Sequence, residues 1–405
     1  MTTFFHPTEQ ARCDLLDSIP ATFNTRFYEP KIHGIDLKAR FESEHSRLMQ
    51  SDHFSSDVNA VLSEVDAYPI EFFHETERRI GLWKAIGVSF FARNGTWIFQ
   101  DVLVDGLAEN AGVQPGAELV AIDGVPVRTA AIPKFSPREN VQITYKNPGQ
   151  GSNTFTFNPF EKRDGNSIRF VTHRKVTDKI GYIRISKWTG ILGIEVARAT
   201  DTAIKSLGKP SVLIVDIRGN LGSEGVGNLR VLSYLTPDKV PVGYSLTRAR
   251  AEQGYRREEL AQFTKIPSNQ LLAPLTLLKF KDIDKSIVIV TEGLGKQPFH
   301  GRVLMLVNEH TISGAEIVAG FAADHKLATL VGTRTAGKLL GWTTVSLEHN
   351  YFLTLPTVNY LTWEGKSFER TGVLPDVDVQ FNPDAAVSGA DNQLDAAIAL
   401  AKQLS

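Results

Sequence analysis

Hydrophobic positions recur with helical spacing at the start of the chain. Asp36-Leu37-Lys38-Ala39-Arg40-Phe41 through Leu48 has mixed amphipathic spacing. Val58, Val61, Leu62 and Val65 form a stripe at i, i+3, i+4 and i+7 behind the capping residues Ser55-Ser56-Asp57. Residues 1–80 therefore read as a helical region. From Gly81 to about Phe157 the period shortens to that of strands and turns. Ile86–Phe91 and Trp97–Val104 read as strands, Ala108–Gly112 as a short helix ending on glycine, and Pro115–Val127 as turn, strand, Asp-Gly turn and strand. Val141–Tyr145 and Thr154–Phe157 alternate as a second hairpin.

From about Lys179 onward strands and helices alternate, as in an α/β domain. Ile180–Ile185 reads as a strand and Ile194–Leu207 as a helix stopped by Gly208. Ser211–Asp216 and Val303–Val307 are near-continuous apolar runs, the texture of strands buried on both faces. Asn228–Leu235 and Asp391–Leu404 read as helices. The stretch 243–300 is less regular, with a charged segment from Arg248 to Glu259 ahead of Ile287–Val290, and reads as an insertion with its own strands or as a lid. The expected division is 1–80, 81–160 and 165–405.

Composition narrows the function classes. The 405 residues are 42% hydrophobic and 22% charged, with 44 basic against 45 acidic side chains. A net charge of −1 gives no electrostatic footprint for nucleic acid. Cys13 is the single cysteine, which excludes an intramolecular disulfide and argues against a cysteine-based metal site. No run approaches the ~20 apolar residues of a membrane span, and the start lacks the basic and apolar regions of a secretory signal. That reads as cytoplasmic, although a periplasmic or otherwise exported protein shorn of its leader would read the same. No His-Glu-x-x-His or comparable ligand spacing suggests a metal, and nothing suggests a cofactor.

The candidate chemistry lies in the C-terminal third. Ser313 follows the apolar run Val303–Val307 and opens a helical pattern. Lys338 ends Val331-Gly332-Thr333-Arg334-Thr335-Ala336-Gly337-Lys338, 25 positions further on (338 − 313). A lysine can deprotonate a serine only if burial lowers its pKa. Ser313-x-x-Glu316 is also a capping-box signature, so a purely structural serine has the same local sequence. Lys338 after glycine reads equally as a turn residue, although Ala336, Leu339, Leu340 and Trp342 give it apolar neighbours. Asp216-Ile217-Arg218-Gly219-Asn220-Leu221-Gly222-Ser223 ends a buried strand in a glycine-rich turn able to supply an oxyanion donor, with neither P-loop nor dinucleotide-binding spacing. Histidines offer a rival. His310 is three residues before Ser313, with His300, His325 and Asp324 nearby in sequence, but a twelve-residue helical separation puts His325 about 18 Å away.

The run from Val104 to Gly124 resembles a PDZ domain of the bacterial protease type. That resemblance implies capture of a terminal carboxylate by the loop holding Ile86, Gly87 and Val88, with the peptide added as a strand. Asp216-x-Arg218-Gly219-Asn220-x-Gly222, Ser313-x-x-Glu316, the 25-residue spacing to Gly337-Lys338 and Thr371–Val379 together resemble the C-terminal processing (tail-specific) peptidases. The helical start, with Phe27-Tyr28-Glu29-Pro30, is similar to that family's N-terminal region. The resemblance implies an α/β catalytic region with a crotonase/ClpP-like β/α core, an inserted mostly-β PDZ domain and a helical N-terminal region. It also implies Ser313 as nucleophile, Lys338 as general base and an oxyanion hole from Gly314 and Gly222, acting on polypeptide substrates near their C-termini. Three positions depart from the family pattern, the first being Leu339 after Gly337-Lys338 where the family commonly has Gly-Lys-Gly. Trp342 stands where a lysine-orienting glutamine is usual, and Gly222-Ser223 replaces paired glycines. An indole cannot accept a hydrogen bond from an ammonium. The departures leave open a catalytically weak or inactive member that binds peptides or ligands, and a small-ester or amide hydrolase.

Overall fold

The computed structural model describes residues 6–129, 132–161, 169–188, 191–222, 226–280, 284–295 and 301–405, apart from the side chains of residues 83, 84 and 191. Ser223, His300 and the side chains of Trp83 and Lys84 therefore lie outside the described residues.

The N-terminal pattern gives helices Glu9–Arg26, Leu37–Met49 and Phe54–Leu62. Thr8 caps the first, its hydroxyl accepting from Ala11 N, and Asp36 caps the second by accepting from Ala39 N. The third begins at Phe54, so Ser55, Ser56 and Asp57 lie in its first turn rather than before it. These helices do not close a core of their own. Ile19, Phe23, Phe41, Leu48 and Leu62 pack with Phe72, Tyr351, Leu353 and Leu355. Phe72 lies in the strand Glu71–His74, which pairs antiparallel with Tyr351–Thr362. Residues 1–80 are thus joined to the C-terminal region: three short helices need a sheet face against which to bury their apolar stripes.

Residues 88–157 form a separate antiparallel sheet in the order Val88–Arg93, Thr96–Val102, Glu118–Ile122, Val141–Lys146, Ser152–Phe157, with the short Val125–Pro126 at one side. Its core holds Phe90, Phe99, Leu119, Ile143 and Tyr145. Asp123 and Gly124, both at positive φ, make the hairpin turn that their sequence predicts.

The C-terminal region is built on two six-stranded sheets. In the first, Ile180–Ile185, Val212–Asp216, Arg302–Val307, Thr329–Gly332 and Val377–Asp378 run parallel in that order, with Val171–Lys175 antiparallel at the edge. Both faces are covered. Ile214, Leu304 and Leu306 pack on Ala397 and Ala401 of the helix Asn392–Leu404. Val215, Met305 and Val307 face the opposite way, toward Ala197 and Ile204 of Ile194–Leu207 and Ala315 and Ala319 of Gly314–Asp324. The two near-continuous apolar runs are therefore central strands with alternate residues on opposite sides.

The second sheet overturns the reading of 243–300 as an insertion or lid. Pro241–Thr247, Ile287–Val290 and Ala261–Phe263 continue the sheet that begins with Glu71–His74 and Tyr351–Thr362, and Gly341–Ser346 pairs on the side of Tyr351–Thr362. Tyr244, Leu246, Val288 and Val290 pack as one cluster, so these strands are integral to the domain. Only tertiary pairing brings together strands more than a hundred residues apart.

Candidate active site

The central strand Arg302–Val307 ends in a turn that delivers Ser313. Thr311 Oγ1 donates to Ile217 O at 3.1 Å, and Ile312 N donates to Asn220 O at 2.9 Å, so the serine turn is fastened to the neighbouring glycine turn. Ser313 has φ 57° and ψ −120°, a conformation that L residues rarely adopt. Such strain persists only where the surroundings impose it, here by the two turns and the helix that starts at Gly314. Gly314 N–H, the first of that helix, donates no hydrogen bond among the described residues. It lies where the helix dipole favours developing negative charge.

Gly222 is brought against this turn. A Cβ there would meet Gly314 N at 2.6 Å and Ser313 Cβ at 2.7 Å, and its φ of 75° also requires glycine. Its N–H, however, donates to Asn220 Oδ1 at 2.9 Å. The expectation that Gly222 supplies an oxyanion donor is corrected accordingly. Its part is close approach, because the Asn220 side chain turns back onto the backbone two residues on and takes the donor.

Glu316 joins the serine to the lysine loop. Fully buried, its carboxylate accepts from Thr335 Oγ1 at 2.6 Å, Gly337 N at 2.6 Å, Lys338 N at 2.8 Å and Ser313 N at 3.1 Å. The capping-box glutamate thus does more than cap. One anion fixes the backbone of both candidate residues. Burial raises its pKa, and the four donors oppose that rise. A second carboxylate, Glu369, accepts from Leu339 N at 2.6 Å and Leu340 N at 3.2 Å. Burial pushes its carboxyl up to about 7, against those donors. Ala336 N to Thr311 O at 3.1 Å and Arg370 N to Gly337 O at 2.8 Å complete the cradle of the loop.

Burial lowers the Lys338 pKa, while Glu316 and Glu369 partly restore it. Among the described residues no hydrogen bond joins Lys338 Nζ to Ser313 Oγ. Nζ instead lies over the Tyr68 ring, 4.1 Å from its centroid. Trp342 does not hold the lysine. It is 49% exposed on the strand Gly341–Ser346, opposite Pro356, so the position four beyond Lys338 points to solvent. The buried Glu316 carboxylate, the half-buried Glu369 carboxylate and an aromatic ring surround the lysine in place of a glutamine. Glu316 was visible in the sequence only as a cap, and no local signal marked Glu369 or Tyr68.

The histidine rival does not assemble. His310 Nε2 lies 3.0 Å from Phe90 O and 3.1 Å from Gln100 Oε1; both are acceptors, so this nitrogen carries the proton and is turned away from base work on Ser313. His325 caps the far end of the helix that Ser313 opens, its ring against Phe321.

In the loop expected to bind a peptide carboxylate, Ile86 and Val88 bury their side chains in the inserted sheet's core. Gly87, at φ 75°, accepts from Leu103 N at 2.8 Å, and a Cβ on it would meet Leu103 Cβ at 2.7 Å. Side-chain packing accounts for this glycine, leaving only backbone groups for a ligand. Phe99 turns its N–H and C=O toward residues 116–117, so its antiparallel partner Phe90 turns its own toward the free edge of Val88–Arg93. His310 occupies that edge at Phe90 O, three residues before Ser313.

Comparison with known proteins adds the family context. Residues 179–379 match the model described as Peptidase family S41. The chain is 25% identical over 298 residues to the chloroplastic C-terminal processing peptidase of Tetradesmus obliquus, covering 69% of this chain and 55% of that protein. It is 24% identical over 280 residues to the carboxyl-terminal-processing protease of a Synechocystis species, covering 67% of this chain and 56% of that protein. The chain thus spans a little over half the length of these curated relatives. The solved photosystem II D1 C-terminal processing protease superposes with a TM-score of 0.57 at 18% identity, covering 94% of this chain and 95% of that one. That likeness is one of fold.

Proposed function

This chain belongs to peptidase family S41 through residues 179–379, and on that premise we propose that it is a serine endopeptidase cleaving polypeptides near their C-termini. Ser313 is the nucleophile and Lys338 the general base. The neutral amine takes the Ser313 proton as Oγ attacks the scissile carbonyl carbon, and Gly314 N–H donates to the resulting oxyanion. Collapse breaks the C–N bond, and the Lys338 ammonium returns the proton to the leaving amine. Water, deprotonated by the same lysine, then releases the acyl group and restores Ser313.

One observation carries the proposal: the buried Glu316 carboxylate binds the backbone N–H of both Ser313 and Lys338. A helix cap alone has no need of the second contact. On this reading the parallel sheet and its helices are the crotonase/ClpP-like core, and the inserted sheet is a PDZ domain presenting a C-terminus to the cleft. Ser313→Ala is expected to abolish peptide cleavage and fluorophosphonate labelling. Undiminished cleavage by the purified variant would sink the proposal.

A second reading is favoured by the contact between Lys338 and Tyr68: a peptide-binding member with an unassembled dyad. It predicts no Ser313 labelling by the probe at any pH, together with retained binding of C-terminal peptides.

A further inference from the structure

The proposed dyad contains a lysine whose Nζ lies over a ring from a different part of the chain. Tyr68 lies between the helix Phe54–Leu62 and the strand Glu71–His74. Two contacts tie its segment to the lysine loop and to the second sheet. Asp66, two residues earlier, is ion-paired with Arg370, and Arg370 N donates to Gly337 O at 2.8 Å. Glu71–His74 is tied to the second sheet by its pairing with Tyr351–Thr362. The ring is presented to Lys338 by this tethered segment and is 51% exposed, so its outer face is open to an incoming chain.

A cation over an aromatic face is held by the ring quadrupole, and only the ammonium gains from it. The contact therefore favours the protonation state that cannot act as a base. We propose that Tyr68 is a positioning residue that holds Lys338 as an ammonium off Ser313, and that the acylating dyad forms when Nζ leaves the ring. This rests on the Ser/Lys reading given above. The charged groups facing Lys338 are Glu316 on the helix Gly314–Asp324 and Glu369 on the segment after Phe368, each of which also favours the ammonium. Arg370 is engaged with Asp66, and the charged neighbours of the ring, Lys134 and Glu71, are paired with each other at 3.0 Å. Unlike the two carboxylates, the quadrupole can be removed without moving a charge.

The test compares Tyr68→Phe and Tyr68→Leu in the full chain. The first keeps the ring; the second keeps apolar cover and removes the quadrupole. The readout is the pH dependence of Lys338 acetylation by acetic anhydride, followed by peptide mass spectrometry against exposed lysines, beside the rate of fluorophosphonate labelling of Ser313. In Tyr68→Leu the Lys338 titration is expected to move down by about 0.5 pH unit, the size of one partly exposed cation–π contact. Labelling at pH 7 rises about threefold with it. In Tyr68→Phe both stay where they are in the parent. An unmoved or raised titration in Tyr68→Leu, or a Phe variant that behaves like the Leu variant, overturns the inference. Absence of Ser313 labelling in the parent counts against the peptidase reading alone, because the Lys338 titration is read independently of catalysis.

Discussion

Replacing Glu316 by glutamine is the sharpest test of how the site is held. The two carboxylate oxygens accept four donors, Thr335 Oγ1 and Gly337 N on Oε1 and Lys338 N and Ser313 N on Oε2. An amide has one oxygen, and its nitrogen presents donors to donors. Whichever way it turns, two charge-assisted hydrogen bonds are lost. At about 1.5 kcal/mol each, the lower end for bonds to a charged group, the loss is about 3 kcal/mol. If the aligned arrangement of Ser313 and Lys338 depends on those bonds, its population falls about a hundredfold. The second-order rate of fluorophosphonate labelling at Ser313, measured on protein with unchanged far-UV circular dichroism, should fall by the same factor. Thr335→Val removes one of the four bonds and should cost about tenfold. A folded Glu316→Gln protein that labels within threefold of the parent refutes the argument that this anion aligns the two residues.

Three further outcomes follow from the geometry. Gly222→Ala sets a Cβ 2.6 Å from Gly314 N at a φ of 75°; labelling should drop more than tenfold with helical content retained, and parent-like labelling would show that the approach is not tight. Arg218→Leu leaves Asp216, buried with 0% exposure, without the guanidinium that contacts it at 2.7 Å, and urea unfolding should register a loss of about 3–5 kcal/mol, so an unshifted midpoint contradicts it. Glu369 is held up to about 7 by burial, above the ~4.3 of an unfolded glutamate. The folded state thus binds its proton more tightly, and this stabilisation is complete below about pH 4 and lost as pH rises through about 7. The fall in Tm from pH 5 to pH 7.5 should accordingly be smaller in Glu369→Gln, and an equal fall in both proteins would place the titration elsewhere.

The candidate residues were legible to unequal degrees. Ser313 and Lys338 stand out because each sits at a junction between an apolar run and a turn, where local pattern and glycine usage are informative. Gly222 was legible as a turn residue, but its donor was assigned wrongly. The competing acceptor is the side chain of Asn220, whose orientation depends on contacts such as Asn220 Nδ2 to Ile185 O at 2.8 Å. The stretch 243–300 was misread because its strands are short and take partners from residues 351–362. Trp342 held the position of an expected lysine partner, yet its strand turns it to solvent.

Periodicity along the chain determined the helical start, the β-rich middle and the doubly buried strands, because burial on one or two faces writes itself into residue spacing. Turn chemistry and the 25-residue interval marked the serine and the lysine. What surrounds the lysine was decided only by the tertiary structure. Glu316, Glu369 and Tyr68 come from three separate stretches of chain, and their effect on a proton is electrostatic. Charge and quadrupole interactions act over a few ångströms of space regardless of sequence distance, so no local pattern records them.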